Sequence, residues 1–259
     1  MRFSLAVPHT PWIPAREESV RRVMPILATA NTGALFTERA ANWQWSRDLW
    51  RWSADQRLDY CVQLQDDVIP HPRFWDIVRA MCSTGREAYG LHAGHPAGPA
   101  LAAQGGRWYR TRAWVVGVGY ILRGDVMRDL ADYRDAHEDE AKRYNEDDFI
   151  GRFLQARGID VWHPMPSPID HDTSVLSTYA NDGHALRRPS VRWEDYDAEA
   201  MTRDEFWRCE SAPLLASPYA AVCGHCGGEG VVAQASLPVC RLCLLKMMGQ
   251  AIGLEVRNG

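Results

Sequence analysis

Tyr60-Cys61-Val62-Gln63-Leu64-Gln65-Asp66-Asp67-Val68-Ile69-Pro70 is an apolar, β-prone run that ends abruptly in two adjacent carboxylates. A short loop and a helical pattern over residues 73–81 follow. Neighbouring carboxylates repel each other, so something must offset their charge. A hard divalent cation does so, and Mg2+ or Mn2+ prefers oxygen ligands. In an open α/β sheet, ligands bind beyond the carboxyl ends of strands. The stretch therefore predicts a strand that ends at a site for a metal and a phosphorylated ligand. A solvated turn with two acids is the plainer alternative.

Outward from this strand the pattern alternates strand and helix, which predicts an α/β fold. Residues 3–7 read as a first strand. Residues 16–27 read as a helix with Val20, Val23, Met24 and Leu27 at helical spacing, interrupted by Pro25. Residues 38–54 read as a helix on which Trp45 and Trp52 share one face and Trp43 and Trp50 another, a pattern for core packing rather than sugar stacking. Residues 88–92 and 113–122 read as strands, with Gly117 and Gly119 marking the close approach of another backbone or a ligand. Between them, residues 95–106 have the Gly/Pro/Ala composition of a mobile loop. Residues 125–133 form a helical pattern with Asp125 as its N-cap, and residues 145–157 another that Gly158 stops. Residues 159–162 read as a short strand, and the proline-rich run 163–168 must be extended or turning.

The length of 259 residues fits one large domain with an appendage. The expected division is an enzyme-like domain at 1–193, a helical linker at 194–221 and a small module at 222–259. No apolar run approaches the ~20 residues of a membrane helix. The first strand meets Pro8 too early for a signal peptide. The expectation is a cytoplasmic protein with no membrane partner. The net charge of −4 conceals an asymmetry. Residues 88–124 hold no acid but carry Arg107, Arg110, Arg112 and Arg123, and residues 175–193 carry Arg187, Arg188 and Arg192 against Asp182 alone. These stretches flank an acidic block at 125–148 and could form a phosphate-binding rim around a metal.

Four of the seven cysteines form a CxxC…CxxC arrangement, Cys223 with Cys226 and Cys240 with Cys243. Four thiolates at this spacing close a tetrahedral structural Zn2+ site, and so small a module needs its metal to fold. Its order resembles a treble-clef or zinc-ribbon finger. His225 lies inside the first pair and is not counted as a ligand.

Two further elements carry candidate chemistry. Asn145-Glu146-Asp147-Asp148 opens the helix at 145–157. Carboxylates there are favoured by the helix dipole, but three acids exceed what capping needs, and a general base would suit the position. Downstream, Pro166-Ser167-Pro168-Ile169-Asp170-His171-Asp172 offers His171 as an imidazole ligand.

The order "LQDDVIPHPRFW", "VVGVGYILRGDV", "NEDDFIGRFLQARGIDVWHPMPSPIDHDTSVL" resembles GT-A glycosyltransferases over residues 1–193. The resemblance implies a Rossmann-like mixed sheet flanked by helices and a nucleotide-diphosphate sugar donor. It implies that Asp67, with Asp66, holds Mn2+ or Mg2+ on the diphosphate, and that His171 is a late metal ligand. Glu146, Asp147 or Asp148 would sit near the acceptor as base. Pro8, His9 and Arg16 would cradle the nucleobase, and Arg187 or Arg188 would help neutralise the leaving diphosphate. No obvious nucleophile accompanies the base, which favours inversion. Gln65 stands where many relatives carry an acid and removes one charge from the metal site.

The finger and the arginine stretches favour DNA as acceptor, a 5-hydroxymethylpyrimidine as in phage-type DNA-modifying glycosyltransferases. A cell-envelope glycan or a protein is the alternative acceptor. A metal-dependent nucleotidyltransferase and a non-catalytic zinc-containing adaptor are the alternative classes.

Overall fold

The computed structural model describes residues 1–37, 42–112, 117–144, 146–172, 175, 191–209 and 211–215, all within the unit Met1–Leu215. The four zinc-module cysteines, Arg187, Arg188 and Asn145 lie outside the described residues.

The chain runs β1 (Phe3–His9), α1 (Pro14–Thr29), β2 (Thr32–Thr37), α2 (Asn42–Asp55), β3 (Tyr60–Leu64), β4 (Val68–Pro70) and α3 (Phe74–Cys82). It continues with β5 (Ala88–Gly90), α4 (Gly98–Ala103), β6 (Trp108–Thr111), β7 (Gly119–Arg123), α5 (Gly124–Ala136) and α6 (Glu138–Ala141). The last elements are α7 (Glu146–Ala156), β8 (Val161–Pro164), β9 (Ile169–His171), α8 (Ala198–Met201), α9 (Asp204–Trp207) and β10 (Leu214–Leu215). Eight strands make one mixed sheet in the order β10-β6-β8-β5-β7-β3-β1-β2. β1, β2 and β3 are mutually parallel, β7 runs against β3 and β5, and β5 is parallel to β8. The expected mixed α/β sheet with flanking helices is therefore present.

Alternation along β3 assigns its two faces. Val62 and Leu64 join Phe3, Leu5 and Val7 against Val20 and Val23 of α1 and Phe74, Ile77, Val78 and Met81 of α3. Cys61 faces the other way, with Leu49 and Trp50 of α2, Leu130 of α5 and Phe149, Ile150 and Phe153 of α7. Trp45 and Trp50 are buried as expected of core tryptophans, and Trp50 stacks on Phe149 at 5.7 Å.

Several local expectations need correction. The Ala-rich stretch inside 95–106 forms α4, because Pro99 sits at its first turn and alanines propagate it. Asp125 does not cap α5. The cap residue is Arg123, and Asp125 lies in the first turn, bonded to the Arg123 guanidinium at 2.7 Å. The arginines of the acid-free stretch have partners inside the domain: Arg110 and Arg112 share Asp160, Arg123 pairs with Glu87 and Asp125, and Arg107 lies 4.3 Å over the Phe206 ring. They do not form the open rim expected. Gly158 does end α7 with φ +69. Past residue 193, Trp207 is fully buried and β10 joins the sheet beside β6, so this part of the expected linker packs into the domain. Among the described residues no helix is long and apolar enough to cross a membrane.

Candidate active site

β1, β3, β5 and β8 point the same way, so their carboxyl ends share one sheet edge. The β1–β3 register pairs Ala6 with Gln63, which carries His9 alongside Asp66 three steps on. Both acids of the pair are fully buried, not solvated. The chain leaves β1 through Thr10-Pro11-Trp12-Ile13 and enters α1 at Pro14, whose fixed φ suits a first helical turn. That turn delivers Arg16 to the acids. One guanidinium nitrogen, Nη1, bonds Asp66, and Nη2 donates to Asp67 Oδ2 at 2.8 Å. Asp66 Oδ2 also accepts from the Thr10 amide at 2.9 Å and lies 3.0 Å from His9 Nδ1. The other His9 nitrogen faces Glu17 at 3.0 Å. Pro8 is buried within β1, in register with Phe36.

A two-stranded sheet brings in the third segment. β4 pairs antiparallel with β9, Val68 opposite His171. This sets His171 Nε2 3.1 Å from Asp67 Oδ2, while the Asp172 amide donates to the Asp67 carbonyl at 2.8 Å. Arg22 of α1 in turn bonds the Asp172 carboxylate. Asp67 and His171, predicted to act together, are thus neighbours.

The acids opening α7 divide into three environments. Glu146 turns inward and accepts from Gln63 Nε2 at 2.6 Å and the Tyr120 hydroxyl at 3.1 Å, and Trp50 Nε1 donates to that same hydroxyl at 2.8 Å. It ties α7 to β3 and β7. Asp148 is exposed. Asp147 is half-buried and accepts the Gly117 amide at 3.0 Å. Loss of solvent pushes its pKa up to about 6; the Gly117 hydrogen bond opposes the rise and the Asp148 charge adds to it. A Cβ on Gly117 would overlap Asp147 Oδ1 and stand 2.8 Å from Cγ, so only glycine admits this carboxylate. The β3–β7 ladder pairs Leu64 with Gly119, and the Gln65 amide extends it to the Val118 carbonyl at 3.0 Å. Gly117, which holds Asp147, is the neighbour of Val118 at that end of the ladder. Asp147 thus joins a raised pKa to a place at the end of the β3–β7 ladder.

His92, just past β5, was not among the sequence candidates. Its side chain is 4% exposed, its Nε2 lies 3.9 Å from Asp170, and no described residue hydrogen-bonds either ring nitrogen. Burial and the neighbouring His171 push its pKa down to about 4, so it is neutral at pH 7.

The fit of a divalent metal can be judged from these partners. Asp66 has both oxygens committed, and Asp67 Oδ2 is shared by Arg16 and His171. Among the described residues, no group of three or more His, Cys, Asp or Glu side chains is arranged to hold a metal ion. This geometry does not fit the metal role expected of Asp67 and His171.

No family model matches the sequence, and no curated protein matches it. Among solved structures, a protein of STIV is similar at TM-score 0.40 and 11% identity, covering 66% of this chain and 84% of that one. A glycosyltransferase involved in glycosylating the major capsid of PBCV-1 has TM-score 0.29 and 8% identity, over 53% and 69%. A mutant Drosophila β1,4-galactosyltransferase 7 in complex with manganese, UDP-Gal and xylobiose has TM-score 0.39 and 13% identity, over 82% and 83%. Structural neighbours of the chain thus include glycosyltransferases, at the level of a loose likeness of topology.

Proposed function

We propose that this chain is a GT-A-type glycosyltransferase that moves a sugar from a nucleotide-diphosphate sugar to an acceptor hydroxyl, inverting the anomeric carbon. The observation that carries the reading is the contact of His171 with Asp67 just past the carboxyl end of β3, with Asp147 held by Gly117 just before the neighbouring β7. A carboxylate more basic than an ordinary aspartate, at the same sheet edge as a buried arginine, is what a base-assisted displacement of a diphosphate requires. The acceptor oxygen bonds to the anomeric carbon as the bond from that carbon to the diphosphate oxygen breaks. The acceptor proton passes to Asp147, and the bonding electrons leave with the nucleoside diphosphate. The Gly117 amide keeps the Asp147 carboxylate aimed. Arg16 supplies positive charge near the leaving group, with Arg187 and Arg188 proposed to add to it.

The four cysteines Cys223, Cys226, Cys240 and Cys243 are proposed to hold one structural zinc. The finger now carries the DNA-acceptor proposal alone, since Arg110, Arg112 and Arg123 are committed within the domain. The test is incubation of the full chain with UDP- and GDP-sugars, with hydroxymethylcytosine DNA, unmodified DNA or simple alcohols as acceptors. Nucleoside diphosphate release that is lost in Asp147→Asn supports transfer. Pyrophosphate release points to a nucleotidyltransferase. No turnover with any donor overturns the proposal, and no mass gain on the modified base removes DNA as acceptor.

A further inference from the structure

The geometry points to Arg16 as the resident cation of this site: its guanidinium, gripped by Asp66 and Asp67, takes the place of a divalent metal against the donor diphosphate, and transfer needs no Mg2+ or Mn2+. This rests on the glycosyltransferase reading and refines it.

One planar guanidinium bridges both carboxylates, the fork-to-oxygen match for which arginine is suited. The side chains of Arg16, Asp66 and Asp67 are 5%, 1% and 1% exposed. The guanidinium thus offsets one of the two carboxylate charges inside the protein and relieves part of the repulsion that called for a metal. To admit a hydrated divalent ion, the acids would have to release a buried guanidinium and leave it without a counter-charge. Gln65, the neutral residue just before the pair, adds no further charge with which to recruit a metal.

Arg16 also retains donors for a ligand. Its buried Nε–H has no hydrogen-bond partner, and each terminal nitrogen carries a second hydrogen beyond the one given to an acid. Buried donors of this kind are costly unless something accepts from them, and the non-bridging oxygens of a phosphate fit a guanidinium edge. The acid pair thereby becomes the mount for a fixed arginine. His9 and the Thr10 amide fix Asp66, and His171 fixes Asp67.

The test uses the full, zinc-loaded chain in metal-depleted buffer rather than a chelator that would strip the finger. Sugar transfer is measured with and without added Mn2+ or Mg2+, and Mn2+ binding is titrated by electron paramagnetic resonance without nucleotide. The expected wild-type result is turnover within twofold under all conditions and no bound Mn2+ at micromolar concentrations. Arg16→Gln uncovers the acid pair, loses at least 100-fold in turnover and gains a Mn2+ site. Arg16→Lys keeps the charge but not the fork, and loses at least tenfold without becoming metal-dependent. Stimulation of the wild type tenfold or more by Mn2+, or stoichiometric Mn2+ binding lost in Asp67→Asn, overturns the inference even if Arg16→Gln does not fold. Absence of turnover with every donor counts against the glycosyltransferase reading instead, and the wild-type Mn2+ titration still decides the metal question.

Discussion

Replacing Asp147 with asparagine should make the domain more stable and the enzyme inactive, and the gain should depend on pH in a defined way. The carboxylate has a pKa of about 6 in the fold, chiefly because it is removed from solvent. The ordinary value is about 3.9, and the gap corresponds to up to about 3 kcal/mol by linkage. For an acid whose pKa is raised by folding, the folded state binds the proton more tightly than the unfolded chain. Below about pH 4 both states are protonated and the residue costs nothing. As the pH climbs through about 6 the unfolded chain ionises first, and the cost reaches its full value above that. Asparagine keeps the shape and an oxygen for the Gly117 amide but carries no charge. Urea unfolding of Asp147→Asn and wild type at pH 4, 6 and 8 should show equal stability at pH 4 and a gain of about 1–3 kcal/mol for the variant at pH 8. Transfer should fall by about 10²–10⁴-fold. Equal or lower stability of the variant at pH 8 would refute the desolvated-base argument, whatever happened to activity.

Three other expectations follow from the same geometry. Gly117→Ala forces the Asp147 carboxylate off its amide; kcat/KM should fall about 100-fold, and its acid limb, near pH 6 in the wild type, should move upward as that hydrogen bond is lost. Asp67→Ala should abolish turnover but also cost about 3–5 kcal/mol in thermal or urea unfolding, because it strands the buried Arg16 and His171 contacts; an unchanged melting temperature would contradict the buried pair. Tyr120→Phe removes the hydroxyl shared by Trp50, Gln63 and Glu146 and should cost about 1–3 kcal/mol with the pH dependence of transfer unchanged.

The parts of the fold legible in the sequence were those with a clear period. β1, β3, α3 and α7 lie within a residue or two of their expected bounds, because alternating or helical runs of apolar residues had one way to be buried. The three-residue strands β4 and β9 were not visible, since a period cannot be seen in three residues and their pairing is set by tertiary contact. α4 was hidden by a Gly- and Pro-bearing composition that also suits loops. At the site, the acid pair and His171 stood out by residue type, and Arg16 was expected at the nucleobase rather than as the partner of the acids. Arg16 is 50 residues from Asp66, and nothing local in the sequence pairs it with the acids rather than with a nucleobase. The inward turn of Glu146 had one overlooked signal, Gln63, an amide in the middle of an apolar strand that had to find a polar partner. His92 carried no signal at all.

The β4–β9 pair also sets a schedule. It joins His171 to Asp67 across 104 residues, while Arg16 and the acid pair are brought together by strands made earlier in the chain. Closing so long a loop comes after local structure, and during synthesis it cannot begin until β9 has emerged. A nascent or truncated chain would hold its charged groups safely paired yet lack the imidazole. The candidate site is therefore among the last parts of the domain to be completed, and its assembly reports that nearly the whole sheet is in place.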